Sequence, residues 1–315
     1  MRPFGIAIHG GAGTILASDM TEELRMAYEQ ALRSALYAGY DILKQKGTAT
    51  DAVVAAVRML EDNILFNAGR GSVFTRKGLH EMDAAIMEGS ALNAGAVAGV
   101  RQVKNPVELA RTVMDKSDHV FLSGEGARDF AVEQGLDMEP DSYFFSQFRY
   151  DQWKSARDSD EYMLDHSRQE VELLMKDKKF GTVGAVACDG EGNLAAATST
   201  GGMTNKNYGR IGDTPMTGVG NYANNNTCAI SCTGHGELFI RAVAAYDVSA
   251  LMEYKGLTLE EAMDEVVMRK LKHMGGEGGM IGIDVACNIS MSFNSAGMYR
   301  GKKDSIGNEE ISIFR

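Results

Sequence analysis

Three threonines stand where side chains from neighbouring strands could meet. The segment 181–237 is dense in Thr, Gly and Asn and poor in bulky residues, and within it Thr182, Thr200 and Thr233 fall at the start or end of runs that read as strands. Their hydroxyls can therefore converge on one sheet edge. Gly209-Arg-Ile-Gly-Asp213 adds opposite charges in a glycine-rich loop. A guanidinium grips a carboxylate at two points and a carboxylate takes an ammonium, so Arg210 and Asp213 suit a zwitterion. A simple surface ion pair with a capping threonine is the plainer use of the same residues, because loop charges are usually just solvated. Residue types alone leave both readings open.

Other constellations fail on spacing. His9-Gly-Gly-Ala-Gly13 lacks the Gly-Lys-Ser/Thr of a phosphate loop, and Leu16 stands where the third glycine of a dinucleotide fingerprint belongs; a tight turn after an opening strand is expected instead. Cys228, Cys232 and His235 have no fourth zinc ligand nearby. His80, Glu81 and Asp83 lack the spacing of a helical zinc protease and read as a solvated strand face. No Gly-x-Ser-x-Gly occurs, and none of the six histidines sits in a pattern that demands a general base.

The 315 residues are 44% hydrophobic and 24% charged, enough apolar matter for a sizeable core and unlike a disordered or fibrous chain. The formal charge of −11 has the wrong sign for a phosphate backbone or an anionic membrane, so neither nucleic acid nor membrane is expected as a partner. No apolar run approaches the roughly 20 residues of a membrane span, and no secretory signal is visible. The four cysteines are too sparse for a disulfide scaffold, and a cytoplasmic location is expected.

The elements that must position these residues follow from periodicity. A strand is expected at 4–8, helices at 21–46, at 51–62 with Thr50 as cap, and from Pro106 to about Ser117, and a short buried strand at 120–122. Residues 151–180 are about half charged and contain no glycine, which marks a linker. A β-hairpin then starts at Thr182, and further strands are expected at 227–233, 280–286 and 289–293, with helices at 237–254 and 258–273. Strands bracket helices in both halves, which favours a layered α/β or α+β sandwich.

Read as words, six stretches occur in order: Ile8-His-Gly-Gly-Ala-Gly13, Phe66-Asn-Ala-Gly-Arg-Gly71, Gly181-Thr-Val-Gly-Ala-Val-Ala187, Ala197-Thr-Ser-Thr-Gly-Gly202, Gly209-Arg-Ile-Gly-Asp-Thr-Pro215 and Cys232-Thr-Gly-His-Gly-Glu237. Together they resemble the isoaspartyl peptidase/L-asparaginase family, the plant-type asparaginases among the N-terminal nucleophile hydrolases, over nearly the whole chain. The charged stretch before Thr182 is the least similar part. The resemblance implies a four-layer αββα sandwich made as an inactive precursor that cuts itself between Gly181 and Thr182. It divides the chain into an alpha fragment, 1–181, and a beta fragment, 182–315, in one structural domain. A threonine hydroxyl is a poor nucleophile, but a free α-amine with a reference pKa of about 8 can take its proton near neutral pH. In the precursor that nitrogen is an amide, so cleavage creates the base and frees the nucleophile together.

Carried over residue by residue, the resemblance makes Thr182 the nucleophile, supported by Thr200, with Thr233 and the Gly234 N–H as oxyanion hole and Asn67 near the nucleophile. Arg210 then holds a substrate α-carboxylate, and Asp213 with the Gly236 carbonyl its α-ammonium. Backbone carbonyls of Glu61, Phe66, Ala68 and Arg70 resemble a structural sodium loop; no cofactor is expected for catalysis. The implied activity is hydrolysis of β-aspartyl dipeptides and of L-asparagine, by a homodimer of cleaved two-fragment protomers. Glycosylasparaginase is a sibling alternative, disfavoured by Gly181 and the missing signal peptide. A non-enzymatic relative is the alternative from another class, disfavoured by intact Thr182, Arg210, Asp213 and Thr233.

Overall fold

The computed structural model describes residues 2–163 and 181–315. In chain order come β1 (Gly5–Gly13), α1 (Glu22–Lys44), α2 (Ala49–Glu61), β2 (Met82–Glu88), β3 (Ala94–Val100), α3 (Pro106–Lys116), β4 (Phe121–Ser123), α4 (Gly124–Glu133) and α5 (Gln147–Met163). After the undescribed stretch follow β5 (Thr182–Cys188), β6 (Leu194–Thr200), β7 (Asn221–Ala223), β8 (Cys228–Gly234), α6 (Gly236–Ala242), α7 (Ala244–Lys255), α8 (Leu259–Asp264), β9 (Gly278–Asp284), β10 (Ile289–Phe293), β11 (Gly297–Asp304) and β12 (Glu309–Phe314). Eight strands make one sheet in the order β12-β11-β1-β5-β6-β2-β3-β4, and four make a second, β10-β9-β8-β7.

Helices α1, α2 and α3 cover the outer face of the large sheet, its inner face meets β8 and β9, and α7 and α8 cover the far face of the small sheet. The fold is a four-layer αββα sandwich, and each of its three interfaces has its own core. Ile6, Ile8, Leu36, Val53 and Val57 fill the first. Ala7, Val186, Ala196, Ile281 and Met298 lie between the sheets, and Ile230, Phe239, Val248, Met263 and Val267 lie under the C-terminal helices. Adjacent residues of β1 serve different cores because side chains alternate along a strand. A strand covered on both faces is buried throughout, as β1, β5, β6 and β8 are.

Several expectations need correction. Backbone pairing carries β1 through the glycine-rich stretch to Gly13, with a register shift between His9 and Gly11, so no turn interrupts it there. Thr48, not Thr50, caps α2, its hydroxyl accepting the Asp51 N–H at 3.1 Å. The strand expected at 120–122 is the edge strand β4, and its flank is open: Val120 is 54% and Phe121 45% exposed. His80 and Asp83 are buried rather than solvated: Asp83 lies on β2, inside the sheet between β6 and β3, and the His80 ring, just before that strand, packs 4.2 Å from the Phe74 ring. The helix expected at 237–254 breaks at Val243, whose φ of +50° stops α6 and starts α7. The helix expected at 258–273 is α8 followed by a π-helical stretch over Glu265–Leu271. The linker expected at 151–180 begins inside α5, and the rest of it lies outside the described residues. The β2–β3 and β11–β12 pairs were not anticipated.

One buried carboxyl ties the helical layer to the strand that carries Thr200. Glu61 Oε1, at the end of α2, accepts from Ser199 Oγ at 2.6 Å and from the Val107 N–H at 3.0 Å, and burial pushes its pKa from 4.5 up to about 8. Between those two values the folded carboxyl holds a proton that the unfolded one has lost, so stability falls as pH rises from 4.5 to 8. Glu61→Gln cannot ionise and keeps an acceptor for Ser199. The variant is expected to exceed wild type at pH 8 by on the order of 4 kcal/mol, the gap closing toward pH 4.5, in unfolding measured across that range.

Candidate active site

The hairpin β5–β6 sets Thr182 directly opposite Thr200, the first residue of one strand against the last of the other. Thr182 Oγ1 donates to Thr200 Oγ1 at 3.3 Å, and Thr200 Oγ1 donates to the carbonyl of Gly181 at 3.4 Å. The Gly202 N–H gives Thr200 Oγ1 a further bond at 3.0 Å. Both threonines are buried. The second hydroxyl therefore touches the first and the carbonyl of the peptide bond that precedes it.

Across the sandwich, β8 ends in Thr233 and Gly234. Thr233 is fully buried and its Oγ1 accepts the N–H of Ala12 from the end of β1 at 3.3 Å, so β1 and β8 meet there. Gly234 has φ +156° and no room for a side chain: a Cβ would lie 2.6 Å from the Glu277 carbonyl oxygen and 2.7 Å from the Phe239 ring. Cys228, Cys232 and His235, set aside above as a zinc site for want of a fourth ligand, lie on or just after the same strand. Both cysteines are buried in the core of the small sheet, and no group of three or more His, Cys, Asp or Glu is arranged for a metal among the described residues.

Arg210 and Asp213 come together, but not as partners of one another. Arg210 Nε and Nη2 donate to the two carboxylate oxygens of Glu237, both at 2.9 Å. Asp213 is 3% exposed, takes no ion pair among the described residues, and leaves Oδ2 without a hydrogen bond. Burial pushes its pKa from 3.8 up to about 7, Arg210 opposing the rise. Gly236 separates the two: a Cβ there would lie 2.8 Å from Arg210 Nη2 and 2.9 Å from Asp213 Oδ1, and one on Gly212 would lie 2.9 Å from Nη1. Glu237 thus occupies one edge of the guanidinium and leaves its Nη1–Nη2 end facing the two glycines. A buried carboxylate with one unsatisfied oxygen beside an oriented guanidinium is not a surface ion pair, and the two groups offer one charge for each end of a zwitterion.

Residues 1–313 match the sequence model of the asparaginase family. The chain belongs to that family. It is 53% identical over 295 residues to the isoaspartyl peptidase of Salmonella typhimurium, covering 94% of this chain and 93% of the relative. Against the probable isoaspartyl peptidase/L-asparaginase 2 of Arabidopsis thaliana it is 40% identical over 329 residues, covering both chains whole. The isoaspartyl peptidase/L-asparaginase of Bos taurus is 41% identical over 293 residues, 93% of this chain and 91% of its own length. Among the described residues of this asparaginase-family hydrolase, no helix is long and apolar enough to cross a membrane.

Asn67 also reaches this family site, in a backbone role. Its amide nitrogen donates to the Gly202 carbonyl at 2.7 Å, its oxygen accepts the Val73 N–H at 3.0 Å, and a Cβ on Gly181 would lie 2.9 Å from its own Cβ. The side chain is spent on pinning two loops beside Thr182. The carbonyl loop crowds its glycines: a Cβ on Gly69 would lie 2.5 Å from the Glu61 oxygen, and one on Gly71 would lie 2.0 Å from the Phe66 oxygen. Helix α5 clamps the same loop, Arg149 Nε donating to the Gly71 carbonyl at 3.0 Å and Trp153 packing 5.7 Å from the Phe74 ring. Glu237 is the site residue that reasoning from sequence missed, although it closes the motif Cys232-Thr-Gly-His-Gly-Glu237.

Proposed function

We propose that this chain is a self-processing threonine amidohydrolase that cleaves β-aspartyl dipeptides and hydrolyses L-asparagine to L-aspartate and ammonia. The observation that carries the reading is the run of hydroxyls from Thr182 Oγ1 through Thr200 Oγ1 to the Gly181 carbonyl. In the first reaction the Thr182 oxygen attacks the Gly181 carbonyl carbon and the C–N bond breaks. The hydroxyl proton passes to the departing nitrogen, and water then hydrolyses the ester. Thr200 donates to the oxygen on which charge develops.

The mature site reuses the same atoms. The freed α-amine of Thr182 takes the hydroxyl proton, the oxygen attacks the side-chain amide of the substrate, and Thr233 and the Gly234 N–H receive the oxyanion. Collapse expels ammonia or the amine of the second residue, which leaves with a proton returned by the Thr182 ammonium. Water then releases aspartate from the acyl-enzyme. The Nη1–Nη2 end of Arg210 holds the α-carboxylate, and Asp213 with the Gly236 carbonyl holds the α-ammonium. The carbonyls of Glu61, Phe66, Ala68 and Arg70 would hold a structural sodium ion. We further assign a homodimer of two-fragment protomers and a cytoplasmic location, the latter supported by four free cysteines, three of them buried.

The test of substrate class is a panel of asparagine, a β-aspartyl dipeptide and sugar-linked asparagine. Turnover of the first two is expected; preference for the third would make the enzyme a glycosylasparaginase. A pH effect follows from Asp213. Below a pKa of about 7 the free carboxyl is neutral and cannot meet an ammonium, so kcat/KM falls as pH drops through that value. Bound substrate holds the carboxylate ionised, so the same acid limb lies at lower pH in kcat. Protonation of the Thr182 α-amine gives a limb common to both profiles, so the mark of Asp213 is a second, steeper fall confined to kcat/KM; its absence would show that Asp213 does not take the ammonium.

A further inference from the structure

Strand β1 leaves the nucleophile strand at the place where support is most needed. Its ladder to β5 runs from Gly5 opposite Cys188 to His9 opposite Gly184, and beyond the bulge it pairs with β11 alone. The carbonyl of Thr182 lies past the end of that ladder. The His9 side chain fills the gap: Nδ1 is 2.9 Å from the Thr182 carbonyl oxygen and Nε2 is 2.8 Å from Ser231 Oγ.

The direction of each bond follows from chemistry. A carbonyl only accepts, so Nδ1 carries the proton, and Nε2 is left to accept the Ser231 hydroxyl. Ser231 Oγ lies 2.8 Å from Thr198 Oγ1, and with its own proton given to His9 it accepts that of Thr198. A single directed chain therefore runs from Thr198 on β6 through Ser231 on β8 and His9 on β1 to the residue that opens β5. It crosses both sheets, and the imidazole is fully buried. Burial also pushes the imidazole pKa down to about 3, so the tautomer holds across neutral pH. Gly184 makes the room, since a Cβ there would lie 2.0 Å from Ser231 Oγ and 2.5 Å from His9 Nε2.

We propose that His9 is a positioning residue: its Nδ1–H fixes the peptide plane after Thr182, and with it the direction of the hydroxyl and the released α-amine. The inference rests on the reading of Thr182 as nucleophile. A residue that begins a chain has no preceding peptide to restrain it, so its carbonyl is the handle by which the fold can hold it.

The two nitrogens can be tested separately. The amide nitrogen of Asn matches the place of Nδ1 and that of Gln the place of Nε2. Per chain bearing an N-terminal Thr182, His9→Asn should keep kcat within about tenfold of wild type, whereas His9→Gln should lose about 100-fold. KM for asparagine should stay near wild type in both, because Arg210 and Asp213 are untouched. Self-cleavage uses the same hydroxyl, so its rate should follow the same order, which reads out the proposal even where a variant matures slowly. Gly184→Ala alters no hydrogen-bonding group but drives a methyl into the His9–Ser231 bond, and should lower kcat with KM unchanged. Equal losses in the two His9 variants that track their melting temperatures, or normal kcat in His9→Gln or Gly184→Ala, would overturn the proposal. Thr182→Ala separates the two levels: if it stays active the nucleophile assignment itself fails, and if it is dead while His9→Asn and His9→Gln are alike, only the role of His9 fails.

Discussion

Thr182→Ala remains one chain and loses activity on asparagine and on β-aspartyl dipeptides by at least about 10⁴-fold. In the proposed mechanism the side chain supplies the attacking oxygen in both reactions, and the neighbouring Thr200 Oγ1 does not replace it because it is committed between Thr182 and the Gly181 carbonyl. Thr182→Ser and Thr182→Cys keep an attacking atom and are expected to cut, more slowly, because the lost methyl or the larger sulfur changes where that atom points. Gel electrophoresis over days and assays of released ammonia read both effects. An alanine variant that splits at residue 181 or turns over substrate would remove Thr182 from the mechanism.

The second large effect belongs to Arg210 and Asp213. Truncating either leaves one substrate charge without its partner in a largely buried pocket, a cost of about 2 to 5 kcal/mol, or roughly 30-fold to several thousand-fold in kcat/KM. Arg210→Ala also strands Glu237, whose carboxylate is held below its usual range by its hydrogen bonds to the guanidinium. Arg210→Lys should lose activity as well, since one ammonium cannot serve Glu237 and grip a carboxylate at two points. Wild type should reject α-N-acetylated asparagine and asparagine α-methyl ester, each lacking one charge. Normal turnover of the blocked compounds, or near-normal kcat/KM in the two alanine variants, would reduce the pair to a structural feature.

Where two strands are joined by a short turn, spacing alone pairs their residues. The turn between residues 188 and 194 was readable, and it makes Thr182 and Thr200 cross-strand neighbours. Arg210 and Asp213 were legible as charges, but the true partner of Arg210 lies 27 residues away on the first turn of α6, and no periodicity links a loop to a helix N-terminus. Asp83 looked solvated because it closes a stretch with the polar His80 and Glu81; only the sheet order, with β2 between β6 and β3, shows that it is enclosed. The β11–β12 pair was missed because Arg300, Lys302, Lys303, Glu309 and Glu310 break the apolar alternation that announces a strand; they pair across the edge as ions instead. The break at Val243 has no sequence signal, since valine is among the residues least expected at positive φ.

Fold, hydroxyl geometry and family membership all bear on one claim, that Thr182 is released by the chain itself to become its nucleophile. Intact-mass measurement of purified wild type with N-terminal sequencing tests it most directly. Two fragments are expected, one ending at Gly181 and one beginning at Thr182, with activity appearing in step with the second. A single N-terminus at the start of the chain after prolonged incubation, in protein that nevertheless hydrolyses asparagine, would contradict it.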